Sequence, residues 1–390
     1  MTSRIVLGVT GGVAAYKAAY LARRLVEDGH EVRSVVTDSS QRFLGPQTLA
    51  AITGSHPISS LFAAGSVSPH TELAGWADAI AVAPATASLL GRLAAGISDD
   101  ALTATLLASK SPVVLAPAMH TEMWEHPATQ RNVAQLRDDG YQLVGPIEGS
   151  LAGGDVGMGR MAEPADIAEA IYVALAPKDM VGRRVVVSAG GTREPIDAVR
   201  FIGNRSSGKM GHAIATEAAR RGASVTLITT SSLPVHPAVT VTAVETADEM
   251  AAAVWEQARS ADIAILSAAV ADIRPKVVAG DKLRRADGPP DLALEPTPDI
   301  IAEVASWKDR PFLVGFAAEA GSIERALHKA SVKGVDLLVA NDISAAGSEF
   351  GADTNQVTIV APDGSTEPWQ LMSKGAVAAR LLDRIRDAQA

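Results

Sequence analysis

The chain has 390 residues, no cysteine, a net charge of −9, and a composition that is 47 % hydrophobic but only 4 % aromatic. That length implies roughly two to three domains, the missing cysteines exclude disulfides, thiolate metal sites and a cysteine nucleophile, and the negative charge argues against a general affinity for nucleic acid. No apolar run approaches the ~20 residues of a membrane span, and "MTSRIVLGVTGG" leaves no room for a signal peptide before its first strand. A cytoplasmic enzyme without a membrane or nucleic-acid partner is expected.

In chain order, "RIVLGVTGGVAAYKAAYLARRLVEDGHEVRSVVT" reads as an aliphatic strand, a Gly-Gly turn, a helix, a glycine stop and a second strand. "DAIAVAPAT" and "SPVVLAPAMH" read as further strands. "ALAPKDMVGR", with Pro177, Gly182 and mixed charge, suits a linker. The opening pattern then recurs in "RRVVVSAGGTREPIDAVRFIGNRSSGKMGHAIATEAARRGASVTLITT", followed by the strands "DIAILSAAVAD", "PFLVGFAAE" and "VDLLVAND". Aliphatic strands alternating with helices predict an α/β class with two Rossmann-like domains, residues 1–178 and 179–390, whose ligands bind beyond the carboxyl ends of the strands. Neither half has a clean G-x-G-x-x-G, so a two-domain NAD(P) oxidoreductase has weak support.

Three segments of the first half carry chemistry: His70 in "SPHTELAGWADAIAVAPATAS" with its small-residue turn Pro84-Ala85-Thr86-Ala87-Ser88, the segment "PAMHTEMW", and the glycine-rich "SLAGGDVGMGRMAEP". Together they resemble the flavin-containing cysteine decarboxylases, phosphopantothenoylcysteine decarboxylase most closely. The resemblance implies a flavodoxin-like domain that binds FMN through Gly11, Gly12, Ser39 and the turn at 84–88. It also implies a catalytic His70, and substrate contacts from His120, Met123 and Arg160, the last on a flap at 150–164. Alone, a histidine at 70 reads as structural or surface, and Arg160 as a solvated residue. A charged fork in a glycine-rich flap nevertheless suits a phosphate or carboxylate.

Decarboxylating a cysteine amide needs an electron sink that a saturated carbon lacks, and oxidation of CH2–SH to a thioaldehyde by a flavin creates one. His70 would then act as general base or orient the departing carboxylate. Two positions depart from the resembled pattern: Gly153 stands where the flap carries a cysteine acid, and His120 stands where "PAMN" carries asparagine. Glycine has no proton to give, so His120 or Asp155 is expected to supply it. The alternative is a flavin-binding domain that is regulatory or only partly active.

In the second half, "GNRSSGKMG" nearly spells a P-loop, but Met210 stands where Ser or Thr would meet magnesium. Such donor-rich loops before a helix still suit phosphates. With "SAAVADIRP", "DKLRR", "PTPDII", "GFAAE" and "VDLLVANDI", the half resembles phosphopantothenate–cysteine ligase. By resemblance it would join 4′-phosphopantothenate to cysteine through an acyl-cytidylate, with CTP as co-substrate and Mg2+ as cofactor, its metal ligands unknown. Lys282 would serve the first step and Asn204 the second. CTP contacts would come from Leu266, Ser267, Ala268, Asp272, Lys282, Pro298, Asp299, Ile300, Ile301, Phe316, Lys329 and Lys333. Without the resemblance, Lys329 and Lys333 are one solvated helix face, Asn204 is a capping residue, and "DKLRR" is a solvated loop. The resembled families imply a homo-oligomer of decarboxylase trimers joined by ligase dimers, a dodecamer being one such closed assembly.

Overall fold

Glycine stops and aliphatic runs punctuate the chain into two units, Met1–Ala176 and Pro177–Ala390. The computed structural model describes residues 2–62, 67–284, 291–319, 327–328, 332–342, 347–348 and 351–389. In the first unit the strands β1 (Arg4–Val9), β2 (Glu31–Val36), β3 (Ala79–Ala85), β4 (Val113–Pro117) and β5 (Gln142–Leu143) form one sheet in the order β2-β1-β3-β4-β5. Every neighbouring pair is parallel. Their side chains alternate between two apolar layers, which is why the strands lack a polar face. Ile5, Leu7 and Val9 pack with Leu21 and Leu25 of α1 (Tyr16–Glu27), Leu49 of α2 (Pro46–Thr53) and, from near the end of the unit, Ile167 and Ile171. Val6, Ile80 and Val82 face the other way, onto α3 (Pro69–Trp76), α4 (Ala87–Ala94), α5 (Ala101–Ala108) and α7 (Pro127–Asp138), the last preceded by the short α6 (Thr121–Glu125). After β5 the chain makes an antiparallel hairpin, β6 (Ile147–Ser150) and β7 (Val156–Arg160), outside the main sheet. The helix α8 (Pro164–Leu175), which carries Ile167 and Ile171, closes the unit.

The second unit repeats this logic on a larger sheet. Its strands include β8 (Arg184–Ala189), the hairpin β9 (Arg193–Pro195) and β10 (Phe201–Gly203), β11 (Ser224–Thr229), β12 (Val239–Ala243), β13 (Ile263–Leu266) and the hairpin β14 (Ile273–Pro275) and β15 (Leu294–Pro296). They continue with β16 (Phe312–Glu319), β17 (Leu337–Asp342), the short β18 (Thr354–Asn355), β19 (Val357–Val360) and β20 (Thr366–Pro368). The main sheet runs β12-β11-β8-β13-β16-β17-β19-β20, parallel as far as β17 and antiparallel beyond it. One face is covered by α9 (Lys209–Arg220) and α12 (Lys374–Gln389), the other by α10 (Ala247–Ala258) and α11 (Ile300–Ser306). Buried Arg221 clamps α9 to α12, donating to the Asp383 carboxylate at 2.7 Å, the Glu217 carboxylate at 3.1 Å and the Ala379 carbonyl at 2.8 Å. A buried guanidinium is tolerable only with such partners. Among the described residues no helix is long and apolar enough to cross a membrane.

Candidate functional site

In each sheet the first strand lies in the middle, and the connections leave it in opposite directions. The switch points fall between β1 and β3, and between β8 and β13. Connections diverging there leave a crevice beyond the carboxyl ends of the two strands.

In the first crevice, Thr10 joins the two strand ends. Its Oγ1 donates to the Pro84 carbonyl at 2.7 Å and accepts from the Thr86 N–H at 3.2 Å. This fixes the turn at 84–88, where Pro84 and Ala85 are buried, Thr86 and Ala87 partly so, and Ser88 is exposed. Thr86 also caps α4, its Oγ1 accepting from the Leu89 N–H at 3.4 Å, so its ordinary capping role is real. The glycine turn lies against the same edge. A β-carbon on Gly11 would stand 2.4 Å from Ser39 Oγ, and one on Gly12 would stand 3.9 Å from the Thr86 methyl. Gly11, Gly12, Ser39 and Thr86 thus converge, with backbone N–H groups and hydroxyls to offer a phosphate-bearing flavin. His70 is the second residue of α3, and its Nδ1 is buried with no hydrogen-bond partner among the described residues. An unpaired buried ring nitrogen leaves His70 with a hydrogen bond still to make.

The glycines of the hairpin fit it to its neighbour. A β-carbon on Gly157 would overlap Thr121 Oγ1 at 2.4 Å, and one on Gly159 (φ +142°) would overlap the Met119 carbonyl oxygen at 2.1 Å. The Met119 N–H donates to the Gly159 carbonyl at 3.0 Å, so β7 lies flush on the segment that carries His120 and Met123. The glycines at 157 and 159 therefore serve close docking and not only backbone freedom. At its base Arg160 donates to Glu163 at 2.6 Å, and buried Lys17 of α1 donates to the same carboxylate at 3.0 Å and to the Met161 carbonyl at 3.1 Å. The Lys17 hydrogen bond, with Arg160 adding to it, holds Glu163 below the usual carboxylate range.

The second crevice opens into a cleft of about 700 Å³. Ser188 at the end of β8 pins the end of β13: Ser267 Oγ donates to the Ser188 carbonyl at 2.6 Å, and the Ala268 N–H donates to Ser188 Oγ at 3.1 Å. Gly211 brings α9 onto this edge, since a β-carbon there would lie 2.5 Å from that of Ala189 and 2.7 Å from Ser267 Oγ. Asn204 is held by its Nδ2, which donates to the Val270 carbonyl at 2.9 Å. Lys333 bonds the Asp299 carboxylate at 2.5 Å. Burial pulls Asp299 upward, but Lys333 and the Ala302 N–H outweigh it and leave the carboxyl below its ordinary range. Lys209 and Lys374 also line the cleft. Lys209 donates to the Gly351 carbonyl and to Asp353, both at 2.7 Å. Burial, then the Lys209 charge, lowers the pKa of Lys374. The cleft is equipped for an anion, with three ammonium groups and the N-terminus of α9 around it.

Two family models match the chain: flavoprotein over residues 1–175, and DNA/pantothenate metabolism flavoprotein C-terminal domain over residues 180–388. The chain is 44 % identical over 401 residues to the coenzyme A biosynthesis bifunctional protein CoaBC of Mycobacterium tuberculosis (strain ATCC 25618 / H37Rv), covering 98 % of this chain and 96 % of that one. It belongs to the bifunctional coenzyme A biosynthesis family. The member from Bacillus subtilis (strain 168) is 44 % identical over 389 residues, again covering 98 % and 96 %. Among solved structures, the C-terminal domain of a coenzyme A biosynthesis bifunctional protein CoaBC aligns at 37 % identity and a TM-score of 0.46, over 54 % of this chain and 96 % of that one.

Within this family frame, the second cleft brings together Asn204, Leu266, Ser267, Ala268, Asp272, Pro298, Asp299, Ile300, Ile301, Phe316 and Lys333. Lys282 is exposed and outside the cleft lining, and Lys329 lies outside the described residues. Beside Lys282, however, the backbone is fixed: the Leu283 N–H donates to buried Asp197 at 3.1 Å, and its carbonyl accepts from Arg200 at 2.7 Å. Sequence reasoning missed Thr10, Ser188, Asn341, Asn355 and Lys374. A small hydroxyl residue at the carboxyl end of an aliphatic strand, Thr10 just past β1 and Ser188 in the last two residues of β8, was the available signal for the first two. For Lys374, whose ammonium bonds the Ala352 carbonyl, there was none.

Proposed function

We propose that the chain performs two consecutive steps of coenzyme A synthesis: CTP-dependent ligation of cysteine to 4′-phosphopantothenate in the second unit, and FMN-dependent decarboxylation of that product in the first. The bifunctional assignment follows from family membership. The observation that supports the substrates is the second cleft, where Asn204 and the residues expected to meet CTP, apart from Lys282 and Lys329, line one cavity that also holds Lys209 and Lys374.

In the ligase unit, the substrate carboxylate attacks the α-phosphorus of CTP, and pyrophosphate leaves. Lys333, Lys209 and Lys374 lower the cost of gathering two anions, and Lys282 would close on the reacting phosphate. Of the two carboxylates in the described lining, Asp299 is engaged by Lys333, so Asp272 is the oxygen donor offered to a magnesium ion carried by the triphosphate. Asn204, its amide oriented by the Val270 carbonyl, would polarise the acyl-cytidylate carbonyl as the cysteine amine displaces CMP.

In the decarboxylase unit, Gly11, Gly12, Ser39 and the turn at 84–88 would hold FMN. When bound, the flavin supplies the two-electron sink for decarboxylation and the means of refilling it. His70 takes the thiol proton or holds the carboxylate in line, and the docked hairpin with Met123 and Arg160 covers the substrate. Exposed Val13, Tyr16, Tyr20 and Phe43 follow the flavin-holding segments in the chain. A second copy covering them would complete the site, in keeping with trimers joined through ligase dimers, in a cytoplasmic enzyme.

The test is pyrophosphate release by the purified protein. It should require CTP, magnesium, 4′-phosphopantothenate and cysteine together for full turnover. Release that ignores 4′-phosphopantothenate would overturn the ligase assignment.

A further inference from the structure

At the tip of the hairpin, Gly153 faces two ionisable side chains. A β-carbon built on it would stand 3.1 Å from Cε1 and 3.9 Å from Nε2 of His120, and 3.3 Å from Oδ2 of Asp155. The first distance is shorter than an ordinary carbon–carbon contact of about 3.5–4.0 Å. A side chain at 153 would press on the His120 ring and shift it by a few tenths of an ångström, so position 153 and the imidazole are immediate neighbours. His120 is fixed at the N-cap of α6, where its carbonyl accepts from the Trp124 N–H at 3.0 Å. Docking of Gly157 and Gly159 on residues 119–121 holds the tip over it.

We propose that the imidazole of His120, in its protonated form, is the acid that completes decarboxylation in this chain. The inference rests on reading the first unit as a decarboxylase. Loss of carbon dioxide leaves its electron pair on the former cysteine α-carbon, as an enethiolate. A ring N–H of His120 breaks and a C–H bond forms at that carbon, leaving neutral imidazole and a thioaldehyde. A bound flavin would supply the hydride that reduces the thioaldehyde carbon to CH2–CH2–S−, having taken it from the substrate at the outset, and the exposed His120 ring regains its proton from water. An imidazolium suits this step because it ordinarily exchanges its proton near neutral pH. Asp155 stands beside the same glycine as the second candidate.

The experiment is product mass spectrometry after phosphopantothenoylcysteine is given to the flavin-loaded full chain. Wild type should yield phosphopantetheine. His120→Asn should lower the reduced product about 100-fold, the scale of a lost general acid, and accumulate the enethiol, two hydrogens lighter. Adding Gly153→Cys to His120→Asn should restore the reduced product, which a merely misfolded variant would not allow. Gly153→Cys also introduces the only thiol in the chain. In flavin-stripped protein that thiol should alkylate about tenfold faster with His120 present than in the Gly153→Cys/His120→Ala variant, because a neighbouring imidazolium favours thiolate. Undiminished reduced product from His120→Asn, or stalling by Asp155→Asn in its place, would overturn the inference and leave the decarboxylase reading standing. Equal alkylation rates would overturn the juxtaposition. Wild type that makes neither product would remove the reading on which the inference rests.

Discussion

Thr10 and Pro84 are hydrogen-bonded across the first switch point, the threonine hydroxyl donating to the proline carbonyl at 2.7 Å. The same oxygen accepts from the Thr86 N–H, so one buried hydroxyl sets the spacing between the glycine turn and the turn at 84–88. Thr10→Val keeps the shape and removes both bonds. It should lower the stability of the first unit by about 1–2 kcal/mol and reduce the flavin retained on purification. The ratio of flavin to protein absorbance checks this, and an unchanged ratio would show that the turn holds its geometry without Thr10.

Gly159 and Gly154 both have positive φ, but only Gly159 is pressed against backbone. Gly159→Ala should undock the hairpin and lower decarboxylation by about 100-fold, the cost of a small misplacement of substrate-positioning groups. Gly154→Ala has open space and should cost only about 1–2 kcal/mol of backbone strain. CTP-dependent ligation by both variants should match wild type. Equal decarboxylation rates for the two variants would mean that docking of β7 does not matter.

Lys333 is held in the cleft by Asp299. Lys333→Met removes the charge and leaves Asp299 without its ion pair. The KM for CTP should rise about tenfold or more, equivalent to about 1.4 kcal/mol of binding, while flavin content is unchanged. Steady-state kinetics at saturating cysteine measure it, and an unaltered KM would take Lys333 out of the nucleotide site.

Asp197 gives the second unit an acid-sensitive clasp. Burial raises its pKa, but the N–H groups of Val199, Arg200 and Leu283 outweigh that effect and hold the carboxyl below its ordinary range. A folded-state pKa below the unfolded one means stability that is present above the unfolded value, about 3.9, and lost as the pH falls through the folded value. Asp197→Asn should flatten the acid limb of the stability curve and loosen the backbone beside Lys282. Chemical denaturation at a series of pH values below 5 tests this. A limb as steep as that of wild type would assign the acid sensitivity elsewhere.

The strand and glycine turn that open each unit were legible because buried parallel strands write themselves as aliphatic runs, such as Arg4–Val9 and Arg184–Ala189, whereas the strand order that makes the switch points was not. The residues that line the second cleft were singled out only through motif resemblance, since Lys333 alone is one charge on a helix. The docking of the hairpin was not legible, because a glycine that admits a carbonyl and a glycine that bends a loop look alike in sequence. The ring of His120 against Gly153 joins positions thirty-three residues apart, and no local pattern reports such a contact.

The proposed function requires one chain to join cysteine to 4′-phosphopantothenate and then to decarboxylate the product. The most direct measurement supplies 4′-phosphopantothenate, cysteine, CTP and magnesium to the purified, flavin-loaded protein and follows the products by mass with time. Phosphopantothenoylcysteine should rise and then fall as phosphopantetheine replaces it, with CMP and pyrophosphate formed alongside. Absence of phosphopantothenoylcysteine, or its formation with no decarboxylated product at any time, would contradict it.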